Sequence, residues 1–164
     1  MIKVYDNFLP DNFADDIENL HTRYNFDWYR APNTGVFPEE GDWKKFEDSG
    51  ITFWKKNGII QGFMDNRTLE SPQFCHVFYD KIKGSMSDYT SEVENILKYV
   101  YTNPRKVSVD RIKSNLNVNL TGYKEENYLL PHTDSSEDTA KSLLYYVNDS
   151  DGDTYFFDRN MNIV

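Results

Sequence analysis

The sequence predicts an α+β domain, and three observations carry that prediction. Helix-period apolar spacing lies before Pro104, strand-period spacing takes over after it, and strand and helix do not alternate as they would in βαβ units. A chain of 164 residues is long enough for a single domain with its own core and short for two. Internal repeats, low-complexity runs and interdomain linkers are absent from the sequence.

The elements follow in order. Ile2-Lys3-Val4-Tyr5 alternates like a short strand, and Asp6-Asn7 and Pro10-Asp11 supply turn chemistry. Phe13, Ile17, Leu20 and Tyr24 then recur at helical spacing. They predict a helix from about residue 11 to 24, capped by Asp11 or Asn12, with Asp15 and Asp16 near the positive end of its dipole. From residue 25 to about 71 the text reads as loops and short strands, with Trp28, Trp43, Phe46, Phe53 and Trp54 scattered through it. Pro72 suits the first turn of a second helix, whose stripe is Phe74, Val77, Phe78 and Ile82 and which Gly84 interrupts. A third helix is predicted over about 88–101, with Val93, Ile96, Leu97 and Val100 on one face and Asn103-Pro104 as its stop. These helices are expected to pack on one face of a sheet.

Beyond Pro104 the apolar positions are Val107, Val109, Ile112, Leu116, Val118 and Leu120, the last three set among Asn115, Asn117 and Asn119. That is strand text. A polar loop from Thr121 to Asn127 leads into Tyr128-Leu129-Leu130 and then Pro131-His132-Thr133-Asp134. Further strands are expected at Ser142–Val147 and Thr154–Phe157, joined by the turn Asn148-Asp149-Ser150-Asp151-Gly152.

Composition narrows the function classes. Twelve Tyr, eleven Phe and three Trp imply a ring-built core whose polar tips need partners. A net charge of −9 argues against a nucleic-acid footprint, which draws on clustered Lys and Arg. Cys75 is the single cysteine, so no internal disulfide forms and a reducing compartment fits. The acidic start lacks a basic segment followed by an apolar one, and no run approaches a membrane span. The expectation is a soluble, cytoplasmic protein that engages neither membrane nor nucleic acid.

His132-Thr133-Asp134 is the most informative triplet. Residues two apart on an extended segment face the same way, so an imidazole nitrogen and a carboxylate oxygen can converge on one metal ion. A third ligand must come from elsewhere. Two His and one carboxylate on one face of an octahedron suit Fe(II) and leave positions open. A solvated His beside an Asp is the bland alternative, and by itself the triplet does not decide between them.

Context adds weight. The run PHTD, a short polar gap, SLLYYVN and then DGDTYFF resembles the central block of the prolyl 4-hydroxylase-like family of 2-oxoglutarate and Fe(II) oxygenases, and IKVYDNFLPDNFADDI is similar to that family's usual start. Residues 25 to 105 match only in general character, and Asp151-Gly152 stands where the family has Gly-Gly. The resemblance implies a double-stranded β-helix, a jelly roll of cupin-like kind, with supporting N-terminal helices. It also implies Fe(II) at His132 and Asp134, 2-oxoglutarate as cosubstrate, ascorbate as an optional reductant, and O2-dependent hydroxylation of a small molecule or peptide. Tyr123, Tyr128 and Tyr146 would hold the cosubstrate, although packing explains the same rings. Asn117, Asn119 and Thr154 are weaker candidates to line the cavity, against plain solvent exposure. Trp28, Trp43 and Trp54 would form either a lid or core.

One part of the family pattern is missing. No His follows Asp134, and Lys141 and Arg159, the basic residues after it, do not occupy the place of the Arg or Lys that anchors 2-oxoglutarate. The chain therefore reads as a fragment lacking the C-terminal strands, the distal His and that anchor. Two rival readings are a natural short form that is a catalytically inactive jelly-roll binding or structural module, and a site completed by His21 or His76. An incomplete sheet with an open edge further predicts a homodimer or poor solubility.

Overall fold

The structure is a computed structural model, and it describes residues 2–31, 43–45, 50–56, 59–69, 71–118, 122–135, 137, 139–150 and 152–164. In chain order its elements are α1 (Asp11–Thr22), β1 (Tyr29–Ala31), β2 (Trp43–Lys45), β3 (Thr52–Lys56), β4 (Ile59–Met64), β5 (Thr68–Leu69), β6 (Gln73–Asp80), β7 (Gly84–Ser85), α2 (Thr90–Glu94), α3 (Leu97–Val100), a 3-10 turn (Pro104–Lys106), β8 (Arg111–Leu116) and β9 (Tyr128–Leu129). The class is α+β, with mostly antiparallel sheets. Among the described residues no helix is long and apolar enough to cross a membrane.

The chain divides into two compact units. The first comprises Met1–Arg30, Phe74–Leu116 and Tyr146–Asp149, and the second Ala31–Gln73, Asn117–Tyr145 and Ser150–Val164.

In the first unit β6 is the hub of a four-stranded sheet, bonded to β1, β7 and β8. Helix α1 buries Ile17, Leu20 and His21, and it packs on this sheet as expected: His21 lies 5.9 Å from the ring of Phe78 and is hydrogen-bonded to Ser114 of β8. Phe26, His76 and Phe78 stack at 4.5–6.1 Å between ring centroids, and Phe78 has no exposed surface. The core of this unit is thus aromatic, as the ring content of the sequence implied. The β6–β7 hairpin turns through Lys81–Lys83 and Gly84, whose φ of +80° is the left-handed residue that a three-residue hairpin requires. The Asp80 carboxylate caps that turn by accepting the Ile82 and Lys83 amides.

In the second unit β2, β3 and β4 form an antiparallel sheet, and β5 pairs with β9 in parallel, Thr68 opposite Tyr128 and Leu69 opposite Leu129. Its core is Phe53, Phe63, Tyr128 and Met161, with Ile51, Ile60, Tyr155 and Phe157 packed around them.

Several sequence expectations are corrected. The second helix does not form; its residues make β6, where His76 and Phe78 are buried two apart and Ile82 is exposed beyond the strand. Phe, Cys, His, Val and Tyr fit a pleated surface better than a helix, and the apolar run is short enough to suit either period. The third helix is broken at Asn95-Ile96 into α2 and α3, Asn being a weak helix former. Ile2–Tyr5 and Ser142–Val147 pair with no described strand and are not strands, and Leu143, Leu144 and Tyr146 are exposed. A period-two pattern alone does not make a strand. Thr154–Phe157 is reduced to one bridge, Phe157 to Ile163, and the strand expected from Val107 begins only at Arg111. Helix α1 ends at Thr22, and Pro10 precedes it with no side-chain cap, so neither Asp11 nor Asn12 is the N-cap. His21 lies on the buried face of that helix.

Candidate functional site

His132 owes its place to β4. It forms an antiparallel bridge with Gly62, flanked by the hydrogen bonds Thr133 N–H to Gln61 O (2.8 Å) and Phe63 N–H to Pro131 O (3.3 Å). A third contact across the same edge runs from the Thr133 hydroxyl to Gln61 Oε1 at 3.0 Å. Gly62 is required there. A Cβ at this position would fall onto the ring of Trp54 and lie 2.6 Å from the Pro131 carbonyl oxygen. A glycine inside strand text is the signal of such a close approach, and Gln61-Gly62-Phe63 carries it in the sequence.

The imidazole is oriented by its own backbone. His132 Nδ1 lies 2.9 Å from the Leu130 carbonyl oxygen, which can only accept, so in the neutral ring Nδ1 carries the proton and Nε2 is the nitrogen left to ligate. Nε2 is 3.9 Å from Asp134 Oδ1, and both side chains are partly open to solvent, at 35% and 42%. The other Asp134 oxygen, Oδ2, accepts the Ser142 hydroxyl at 2.8 Å. That bond steers Oδ1 toward the histidine. A ligating His fixed through its other nitrogen, beside a ligating carboxylate held through its other oxygen, is the usual outer arrangement of a metal site. Two ligands at right angles and about 2.1 Å from a cation sit about 3.0 Å apart. The present pair must close by roughly 1 Å to hold one in octahedral geometry, and the exposure of both groups leaves room for it. Among the described residues no group of three His, Cys, Asp or Glu converges on one point.

The remaining predicted residues are dispersed. Tyr123 lies in the second unit, 37% exposed, while Tyr146 belongs to the first unit and is exposed. Asn117 and Thr154 are exposed as well, and Asn119, Asp151, Phe46 and the side chain of Trp43 lie outside the described residues. Trp54 is buried in the second unit, and Trp28 meets Phe26 edge-on at 4.9 Å in the first. Both His21 and His76 have their ring nitrogens engaged: His21 by Ile17 O and Ser114 Oγ, His76 by Asp27 O and Ser87 Oγ. Burial pushes the His21 imidazole below its usual range, outweighing the Ile17 hydrogen bond. Neither ring offers a free lone pair to a metal.

Tyr128 is part of a cluster that local patterns did not reveal. Its hydroxyl donates to Asp65 Oδ2 at 2.6 Å, and the Arg67 guanidinium donates to the same oxygen from Nε (3.1 Å) and Nη2 (2.8 Å) while lying 5.0 Å from the Tyr128 ring centroid. The parallel β5–β9 pairing brings these residues together across about sixty positions of sequence. Burial raises the Asp65 carboxyl, but the bonds from Tyr128 and Arg67 together overcome it and hold it below the usual range. Burial and the Asp65 bond push the Tyr128 phenol up to about 12. The signs differ. Asp65, with a depressed folded value, stabilises above the ordinary carboxylate range and loses that contribution as pH falls. Tyr128, with a raised value, stabilises fully below pH 10.0 and loses that contribution between there and about 12. Tyr128→Phe should therefore cost about 1–3 kcal/mol near neutrality by leaving Asp65 short of a donor. Urea titrations followed by Trp fluorescence should show the gap to wild type closing between pH 10 and 12; a constant gap would contradict the assignment.

Comparison with protein-family models, with curated proteins and with solved structures found no match.

Proposed function

We propose that this chain carries part of a 2-oxoglutarate- and Fe(II)-dependent dioxygenase, a hydroxylase on a double-stranded β-helix of prolyl 4-hydroxylase-like type, and that His132 and Asp134 are two of its iron ligands. The observation that carries the reading is the facing of Nε2 and Oδ1 at 3.9 Å with the histidine tautomer already fixed. When bound, iron would supply the site for 2-oxoglutarate and O2 and the oxidising chemistry for a C–H bond of a small molecule or peptide. The chain's own contribution is to present Nε2, to hold Asp134 through Ser142, and to fix His132 on the edge of β4. His21 and His76, the other two histidines of the sequence, are committed to other partners, so neither serves as the third ligand in this reading.

Metal binding by the pair is directly measurable. Titration with Mn(II) should broaden the amide signals of residues 132–134 first. Since loss of an outer-shell partner already costs about 10–100-fold in affinity, His132→Ala and Asp134→Ala should each weaken binding by at least as much. Equal affinity in the variants, or broadening centred elsewhere, would remove the assignment. In a protein carrying the full ligand set, iron- and O2-dependent conversion of 2-oxoglutarate to succinate is expected. Metal binding without that turnover would leave a silent jelly-roll module instead.

A further inference from the structure

The first unit holds a cleft of about 430 Å³ lined by Asp27, Tyr29, His76, Ser87, Asp88 and Tyr89, among others. On its wall His76 Nδ1 lies 2.7 Å from the backbone oxygen of Asp27, and Nε2 lies 2.9 Å from Ser87 Oγ. A carbonyl oxygen only accepts, so Nδ1 is the protonated nitrogen and Nε2 turns its lone pair to the serine hydroxyl. From this geometry we infer that Ser87 and His76 form a nucleophile and general-base pair, oriented by the Asp27 carbonyl, for acyl transfer from a neutral or cationic ester.

A hydroxyl within hydrogen-bond reach of an imidazole whose far nitrogen is held by a third group is the arrangement that activates a serine. The setting around Ser87 is firm. Its backbone carbonyl accepts the Thr90 hydroxyl at 2.7 Å, and its Oγ receives the Tyr89 amide N–H at 3.2 Å, which meets negative charge as the proton leaves. The Arg23 guanidinium stacks behind the Tyr89 ring, 4.1 Å from its centroid, with its Nε and one Nη buried and without a hydrogen-bond partner among the described residues. Asp27 and Asp88 on the lining disfavour an anionic acyl donor.

The step balances without a cofactor. Ser87 Oγ attacks the ester carbonyl carbon while its proton passes to His76 Nε2. The bond to the leaving alkoxide then breaks, and that proton goes to the alkoxide to release the alcohol. Water repeats the sequence on the acyl-serine, its proton taken by Nε2 and returned to Ser87 Oγ, and the carboxylic acid leaves. The molecule supplies its own control: His21 and Ser114 form a matching pair at 2.6 Å, with Nδ1 on the Ile17 carbonyl, and neither residue lines the cleft.

The test is labelling of the full chain by a tagged fluorophosphonate in the presence of EDTA, read by intact mass and peptide mapping. The chelator separates this reaction from the iron reading. One phosphonyl adduct is expected, on Ser87, absent in Ser87→Ala and retained in Ser114→Ala. His76→Gln should slow it by about 100-fold or more, the usual yield of a general base. Circular dichroism checks the fold of each variant, and Ser87→Ala, which removes a single oxygen, decides the assignment even where His76→Gln is destabilised. No adduct on the wild-type chain, an adduct on another residue, or one that survives Ser87→Ala overturns the proposal.

Discussion

Phe78→Ala is expected to destabilise the first unit by about 3–5 kcal/mol, the range for emptying a buried ring position in a core. Phe78 has no exposed surface, and it sits 4.6 Å from His76, 5.9 Å from His21 and 6.1 Å from Phe26, so the void would open at the centre of the ring cluster. The two imidazoles are held in place by hydrogen bonds at both nitrogens and cannot collapse into the space without breaking them. The cost should therefore fall at the upper end. Chemical denaturation of the variant measures it, and a loss below about 1 kcal/mol would show that the cluster repacks freely.

Gly62→Ala should be nearly as severe, at about 3 kcal/mol, because overpacking costs about 1–3 kcal/mol where side chains can shift and more where backbone is in the way. Here the added methyl meets both the Trp54 ring and the Pro131 carbonyl oxygen. The ring is buried in β3 and the carbonyl is bonded to Phe63 N–H, so relief requires pushing residues 131–133 off the edge of β4. The prediction is double. Stability falls, and the His132 bridge is lost with whatever ion affinity His132 and Asp134 share. Denaturation and Mn(II) titration on the same sample read the two effects; a variant that binds as wild type would show that β4 does not position the histidine.

The legible parts of this chain are those set by residues close in sequence. Helix α1 was readable because Ile17 and Leu20 repeat at its own period. His132 and Asp134 were readable because two-residue spacing places them on one side wherever the backbone is extended, and they do face each other. The segment 73–80 satisfies both periods through Phe74, Val77, Phe78 and Tyr79, and hydrogen bonding to Arg111–Leu116, more than thirty residues away, decides for the strand. Ser142–Val147 differs in the opposite way: it has strand composition and forms no strand. The Asp65–Arg67–Tyr128 cluster depends on a parallel pairing that no local pattern encodes. Gly62 was the missed clue, since a glycine amid strand text asks what approaches it.

The backbone passes between the two units at 30–31, 73–74, 116–117, 145–146 and 149–150. Neither can be cut out as one continuous piece, so a dissection by simple truncation would strand segments of both. During synthesis on the ribosome the early parts of each unit must wait for partners translated much later, as Thr68 waits for Tyr128. Such distant closures slow folding and prolong the exposure of unpaired strands. Yield from expression should respond to temperature and chaperone supply more than the modest length would suggest.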